Sequence, residues 1–152
     1  MHLYTGERVS KDIDAVCSHR IALPEDLEIS YRDADGAGRL LYFDHQYNDT
    51  LSLMHEDAQD DSIALSLEGI DAKVLDVRLL SPVDLAVTKI GRFAEHDRQD
   101  IIALARRDLI RSKPLRQRAE FALVAYVGNT AWVRNSIDIA CRIVADVEKR
   151  AR

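Results

Sequence analysis

The chain has 152 residues, of which 47% are hydrophobic and 31% are charged, and its formal net charge is −5. This length suits one domain with a single buried core, and the composition excludes a low-complexity or fibrous chain. No apolar run approaches the roughly 18 residues of a membrane-spanning helix, and the first residues lack the apolar region of a signal peptide. The two cysteines make no disulfide framework. We therefore expect a cytoplasmic protein without a membrane partner.

The first half of the chain is rich in strand and turn signals. Alternating and β-rich segments predict strands at residues 10–16, 27–31, 39–43, 51–55 and 74–80. The run Asp33-Ala34-Asp35-Gly36-Ala37-Gly38 predicts a turn between the second and third strands. The acidic residues 56–61 are predicted to form a loop, and the strand at 74–80 is predicted to close the sheet.

The second half is predicted to be helical. Helical spacing predicts four helices at residues 82–94, 97–108, 114–127 and from 130 to the basic residues at the end of the sequence. We expect Ser81, Asp97 and Thr130 to cap the first, second and fourth helices. The fold class is therefore α+β, with a small mixed sheet followed by a bundle of about four helices. The predicted organisation is one domain, residues 1–152, with a sheet-rich core at 1–80 and a helical cap at 81–152.

Two acidic residues, Asp12 and Asp14, lie on the first predicted strand. Because side chains alternate along a strand, both carboxylates would share one face, about 7 Å apart. A cation placed between them could bind both, and carboxylate oxygens are ligands that Mg²⁺ prefers. Two acidic residues on a solvated strand edge, without any ligand, are the alternative.

Two blocks of sequence resemble a known family. The first is Arg8-x-Ser10-x-Asp12-x-Asp14, and the second runs from Ser81-Pro82-x-Asp84-Leu85 through Lys89 and Arg92 to Asp97-Arg98-x-Asp100-Ile101. In this order they resemble the polymerase-beta-like nucleotidyltransferase superfamily, in its small prokaryotic branch. That branch includes proteins linked to toxin–antitoxin and abortive-infection systems.

The resemblance implies an Mg²⁺ cofactor, a nucleoside triphosphate substrate and a set of site residues. Asp12 and Asp14 would bind the metal, with Asp57 as the third acid and Asp44 and Asp76 as its alternatives. Ser10 and Lys89 would bind the nucleotide, Lys89 by approaching its phosphates or the acidic centre. The residue patterns leave plainer interpretations open, namely loop carboxylates and a helix lysine that extends to solvent.

The superfamily also has a glycine-rich first motif, about 15 residues before the acidic pair. Met1 precedes Asp12 by only 11 positions, so we expect an N-terminally truncated form of the family. The sheet edge near Asp12 would then be open, and a second copy of the chain could cover it as a homodimer.

The function implied by the resemblance is a Mg²⁺-dependent nucleotidyltransferase that transfers a nucleotide to an RNA or protein acceptor, as a toxin–antitoxin component. The alternative is a catalytically degenerate module of the same fold that binds a partner protein or RNA. This alternative depends on a concentration of basic side chains between the second and third predicted helices: Arg106, Arg107, Arg111, Lys113, Arg116 and Arg118.

Overall fold

A computed structural model describes residues 2–6, 12–13, 15, 17, 24, 27–32, 35–43 and 52–151. The chain divides into two compact units, Met1–Thr50 and Leu51–Arg152. The single domain with a boundary at residue 80 stays a prediction. Over the described ranges, no helix combines the length and the apolar character needed to cross a membrane.

The first unit contains a short helix and a mixed sheet. Helix α1 (His2–Thr5) precedes strands β1 (Asp12–Ile13), β2 (Glu28–Arg32) and β3 (Gly38–Phe43). The strand order is β1-β3-β2, with β1 parallel and β2 antiparallel to β3. In the connecting turn Gly36 has φ +82°, a left-handed conformation that glycine adopts without strain. The predicted second and third strands are confirmed, and so is the described part of the turn at residues 35–36; Asp33 and Ala34 lie outside the described residues.

The second unit begins with two corrections to the predicted strands. Residues 52–55 form no strand, and the first half of the predicted loop is a 3-10 helix (Glu56–Ala58), while residues 59–61 form a turn as predicted. Leu53 and His55 are buried, so their alternation marked buried positions correctly, but a strand also needs a paired neighbour. The last predicted strand shortens to β5 (Val77–Leu79), which pairs antiparallel with β4 (Ile63–Leu65) in a separate sheet and does not close the first one.

Four helices complete the second unit. They are α2 (Pro82–Arg92), α3 (Glu95–Arg106), α4 (Ser112–Ala125) and α5 (Thr130–Arg150). Ser81 caps α2 as predicted, because its side chain accepts a hydrogen bond from the Asp84 amide. The other two predicted caps are wrong. Ala94 is the N-cap of α3, with Asp97 three positions later, and Asn129 caps α5 one residue before Thr130.

The core of this unit lies among the helices. Each of the four helices contributes fully buried apolar side chains, and those that share a helix are three, four or seven positions apart: Val87, Ile90, Ile101, Leu104, Leu115, Val133, Ile137 and Val144. Leu53 lies against α2 where Gly91 has no side chain, since a Cβ there would be 3.0 Å from the Leu53 Cβ. The α+β class, with a small mixed sheet and four C-terminal helices, is confirmed.

The start of α4 is held by α5. Arg111, the N-cap of α4, makes no capping bond with its side chain. The Ser112 amide instead donates to Glu148 Oε1 at 2.9 Å, and the Ser112 hydroxyl donates to the Cys141 carbonyl at 2.8 Å. Glu148 therefore satisfies one of the amides that a helix start leaves without an internal acceptor.

Candidate functional site

The structure describes only part of the predicted metal-binding pair, Asp12 and Asp14. Asp12 lies on β1, opposite Tyr42 of β3, and its side chain is outside the part of the chain that the structure describes. Ser10, Asp14 and Asp44 are outside it as well. Among the described residues, no three or more His, Cys, Asp or Glu side chains are grouped as a metal site. The assignment of Asp12 and Asp14 as metal ligands stays a prediction.

Two candidates for the third acid are described, and both are exposed. Asp57 lies in the 3-10 helix, where its amide donates to His55 Nδ1 at 3.1 Å and its carboxylate lies 3.8 Å from the same nitrogen. The His55 ring stacks on Phe121, with the ring centroids 4.5 Å apart. Asp76 precedes β5, and its carboxylate lies 3.8 Å from Arg78 Nη1. Each carboxylate thus has a nitrogen group within 4 Å and is open to solvent.

Lys89 lies on α2 and faces two acidic residues of α3. Its Nζ is 2.6 Å from Asp100 Oδ2 and 3.9 Å from Asp97 Oδ1. The Lys89 side chain is 11% exposed, and the carboxylates are 6% and 0% exposed. Lys89 is therefore a largely buried cation within an ion cluster, not a lysine extended into solvent.

The same cluster closes the corner between α2 and α3. Arg92 donates two hydrogen bonds to Asp97, from Nε at 2.9 Å and from Nη2 at 2.7 Å, and the Ala94 amide donates a third at 3.0 Å. Burial raises the pKa of Asp97, but these bonds and the positive charge of Arg92 act in the opposite direction, and the net pKa is lowered. Asp97 therefore stays ionised and fixes the corner.

Phe93 forms the turn of that corner. It has φ +49° and is 4% exposed, so a bulky side chain occupies a left-handed position that such residues adopt rarely. The Arg98 guanidinium lies 4.8 Å from the centre of its ring. Burial of Phe93 and this cation–π contact offset the cost of the backbone conformation.

A second ion cluster was missed by the sequence prediction. Asp84 is 1% exposed, and it accepts hydrogen bonds from the Ser81 hydroxyl at 2.6 Å and from Arg118 Nε and Nη2 at 2.6 and 3.0 Å. Arg118 Nη2 also lies 2.8 Å from Asp61. The hydrogen bond to Asp84 is the main cause of the raised pKa of Arg118. Asp84 belongs to the second sequence block, but its partner lies 34 residues further along the chain.

The described clusters are compensated ion networks. Lys89 and Arg92 balance Asp97 and Asp100, so a phosphate group that approached Lys89 would compete with the Asp100 carboxylate. Several members of the basic concentration are paired too. Arg111 lies 2.6 Å from Asp108, and Arg116 lies 2.7 Å from Asp138 and 3.2 Å from Glu120. With Arg118 held by Asp84, at least three of these six residues have carboxylate partners, which reduces the charge left for nucleic acid.

Comparison with known proteins places the chain in a family. The family model described as "Nucleotidyltransferase of unknown function (DUF6036)" matches residues 3–146. The match includes both sequence blocks and nearly the whole chain, so the chain belongs to this nucleotidyltransferase family. No curated protein and no solved structure matches the chain.

Proposed function

We propose that the chain is a Mg²⁺-dependent nucleotidyltransferase, as one component of a toxin–antitoxin pair. It transfers a nucleotide from a nucleoside triphosphate to an RNA or protein acceptor: the acceptor bonds to the α-phosphorus, the bond between the α- and β-phosphates breaks, and pyrophosphate leaves. The observation that carries the proposal is the family match over residues 3–146. The order of the two sequence blocks, with their resemblance to the small prokaryotic branch, supports it and supplies the toxin–antitoxin context.

Asp12 and Asp14 would hold the metal. The donor set fits Mg²⁺ in its chemistry, because both ligands are hard carboxylate oxygens. Asp12 lies on a strand, and regular alternation would place the residue two positions later on the same face. When bound, Mg²⁺ supplies positive charge to the phosphate oxygens. Asp57 is the proposed third ligand; its carboxylate is exposed and lies 3.8 Å from Nδ1 of the buried His55 ring.

In this proposal Lys89 acts in nucleotide binding, and its ion pair with Asp100 limits that role. Its ammonium is compensated by Asp100 at 2.6 Å, so it is not a free phosphate-binding charge in the described state. Nucleotide phosphates would bind Lys89 only by exchanging with Asp100. The ion pair therefore sets the strength of nucleotide binding. If Lys89 binds phosphate, removing Lys89 should weaken nucleotide binding, and neutralising Asp100 should strengthen nucleotide binding.

The test is a transfer assay with triphosphates labelled at the α-phosphate, so that the transferred nucleotide carries the label. Total cellular RNA and total protein serve as acceptors, with Mg²⁺ or with EDTA. We expect transfer that needs Mg²⁺ and that is lost in the Asp12→Asn/Asp14→Asn variant. The matched control is Asp146→Asn, which removes an exposed carboxylate of α5 and should leave transfer unchanged.

A thermal-shift titration supports the assay when the acceptor is absent. A nucleotide at 100 times its Kd should add about 2.7 kcal/mol to the free energy of unfolding. If no triphosphate shifts the transition with Mg²⁺ and no acceptor is labelled, the proposal is wrong. Transfer that survives in the Asp12→Asn/Asp14→Asn variant would show that the active site lies elsewhere.

A further inference from the structure

Strand β4 and the segment that joins it to β5 expose a set of large apolar side chains. Ile63 and Ile70 are each 46% exposed, Leu75 is 47% exposed and Val74 is 83% exposed. The two strands pair with each other over three positions, and a sheet of two strands is only marginally stable when it stands alone in water. We call residues 60–76 the hairpin surface. Apolar side chains that form one exposed patch are typical of surfaces that contact another molecule, so this surface is a candidate for such a contact.

The hairpin surface is acidic. Residues 60–76 contain five acidic residues and one lysine. Asp61 is bound to Arg118, and the other acids are exposed side chains: Asp60, Glu68, Asp71 and Asp76. A molecule that covers this surface must therefore combine apolar groups with positive charge.

The link between α3 and α4 carries the complementary chemistry. Residues 106–113, which we call the junction, contain four basic residues and one acidic residue, Asp108. Arg106 and Lys113 are exposed, and Leu109 between them is 38% exposed. Both surfaces belong to the unit Leu51–Arg152, so every copy of the chain carries one of each.

We infer that the hairpin surface of one copy docks on the junction of a second copy, in a closed dimer with two-fold symmetry. The two-fold arrangement makes each contact twice: the junction of the first copy binds the hairpin surface of the second, and the junction of the second copy binds the hairpin surface of the first. A single head-to-tail contact would leave one surface of each kind open and would continue into a ring or a polymer. The opposite charges give the contact its orientation, and the apolar side chains become buried between the copies.

The experiment measures the oligomeric state of the full chain by sedimentation velocity at about 50 mM and about 500 mM NaCl. The hairpin reversal is Asp60→Lys/Glu68→Lys, and the junction reversal is Arg106→Glu/Lys113→Glu. Each places like charges against each other twice per dimer, and we expect each to raise the dimer Kd by at least about tenfold. High salt should weaken the unmodified dimer in the same direction.

Restoration is the decisive arm of the experiment. An equimolar mixture of the two reversed proteins should form a dimer, because each contact then joins opposite charges again. Placing both reversals in one chain should restore a homodimer for the same reason. The matched control, Arg134→Glu/Arg142→Glu, changes two exposed basic residues of α5 and should leave the dimer unchanged.

Three results would overturn the inference: a monomer at low salt, a dimer that neither reversal weakens, or reversed proteins that do not restore each other. Far-UV circular dichroism checks that each variant is folded, and the combined variant gives a readout even if one reversal alone is unstable. RNA binding to a monomer, abolished by the junction reversal, would assign the junction to nucleic acid instead.

Discussion

The ion pair between Asp84 and Arg118 gives the sharpest test of how the helical unit is stabilised. We consider the change Arg118→Leu. Asp84 is 1% exposed and receives two hydrogen bonds from the Arg118 guanidinium. Among the described residues, the change leaves this carboxylate with the Ser81 hydroxyl and without a cation beside it. A buried charge without its partner is strongly unfavourable, because neither water nor a counter-ion solvates it.

The size of the effect follows from the burial of the two partners. Breaking a buried pair costs about 3–5 kcal/mol, and the side chain of Arg118 is 17% exposed, so we expect a loss of about 3 kcal/mol from the low end of that range. Asp84→Leu should cost less, about 2 kcal/mol, because Arg118 keeps Asp61 and some solvent. The double variant should lose less than the sum, with a coupling of about 1–3 kcal/mol.

The measurement is urea unfolding followed by circular dichroism, compared at equal slope of free energy against denaturant. Arg116→Leu is the control, because Arg116 lies on the same helix and pairs with Glu120 and Asp138. Its side chain is 41% exposed and its partners are about half exposed, so its loss should stay below about 1 kcal/mol. If Arg118→Leu costs no more than Arg116→Leu, the buried pair does not stabilise the unit and the reasoning fails.

Two further predictions concern the corner between α2 and α3 and the contact beside it. The pKa of Asp97 is lowered in the folded state, so its contribution to stability is present above about pH 4 and is lost as the pH falls through the lowered pKa. Thermal unfolding measured from pH 7 to pH 2 should show this loss of stability. In Asp97→Asn the acid-dependent part of the loss should be smaller. Gly91→Ala should lower the free energy of unfolding by about 1 kcal/mol, because an overpacking cost of about 1–3 kcal/mol against Leu53 exceeds the gain of about 1 kcal/mol in helix propensity. Equal or higher stability in urea would show that the segment around Leu53 moves aside without a measurable cost.

The parts of the fold that the sequence predicted correctly depend on local signals. The start of α2 follows from Ser81, Pro82 and Asp84, which act within one turn of each other. The cap of α3 was misplaced by three residues because the true N-cap, Ala94, has no side-chain acceptor, and Asp97 binds its amide from inside the helix. The sequence pattern identified the right carboxylate but not its position in the helix.

The parts that the sequence did not predict depend on contacts between distant residues. β4 has three residues and pairs with a strand that follows a long connection, so no short turn signal marks the pair. Asp84 and Arg118 meet only because α2 and α4 pack together. Lys89 was expected near a nucleotide, and its pairing with Asp100 could be found only by orienting α3 against α2.

The bond between Ser112 and Glu148 has a consequence for the order in which the helical unit opens. It joins residues 36 positions apart, so the first amide of α4 is protected only while the last turns of α5 are formed. Helix ends fray more readily than helix centres, and each opening of α5 near Glu148 therefore also exposes that amide of α4 to solvent exchange. The beginning of one helix and the end of another thus form a single cooperative unit, and hydrogen exchange at Ser112 reports on the unwinding of a turn far along the chain.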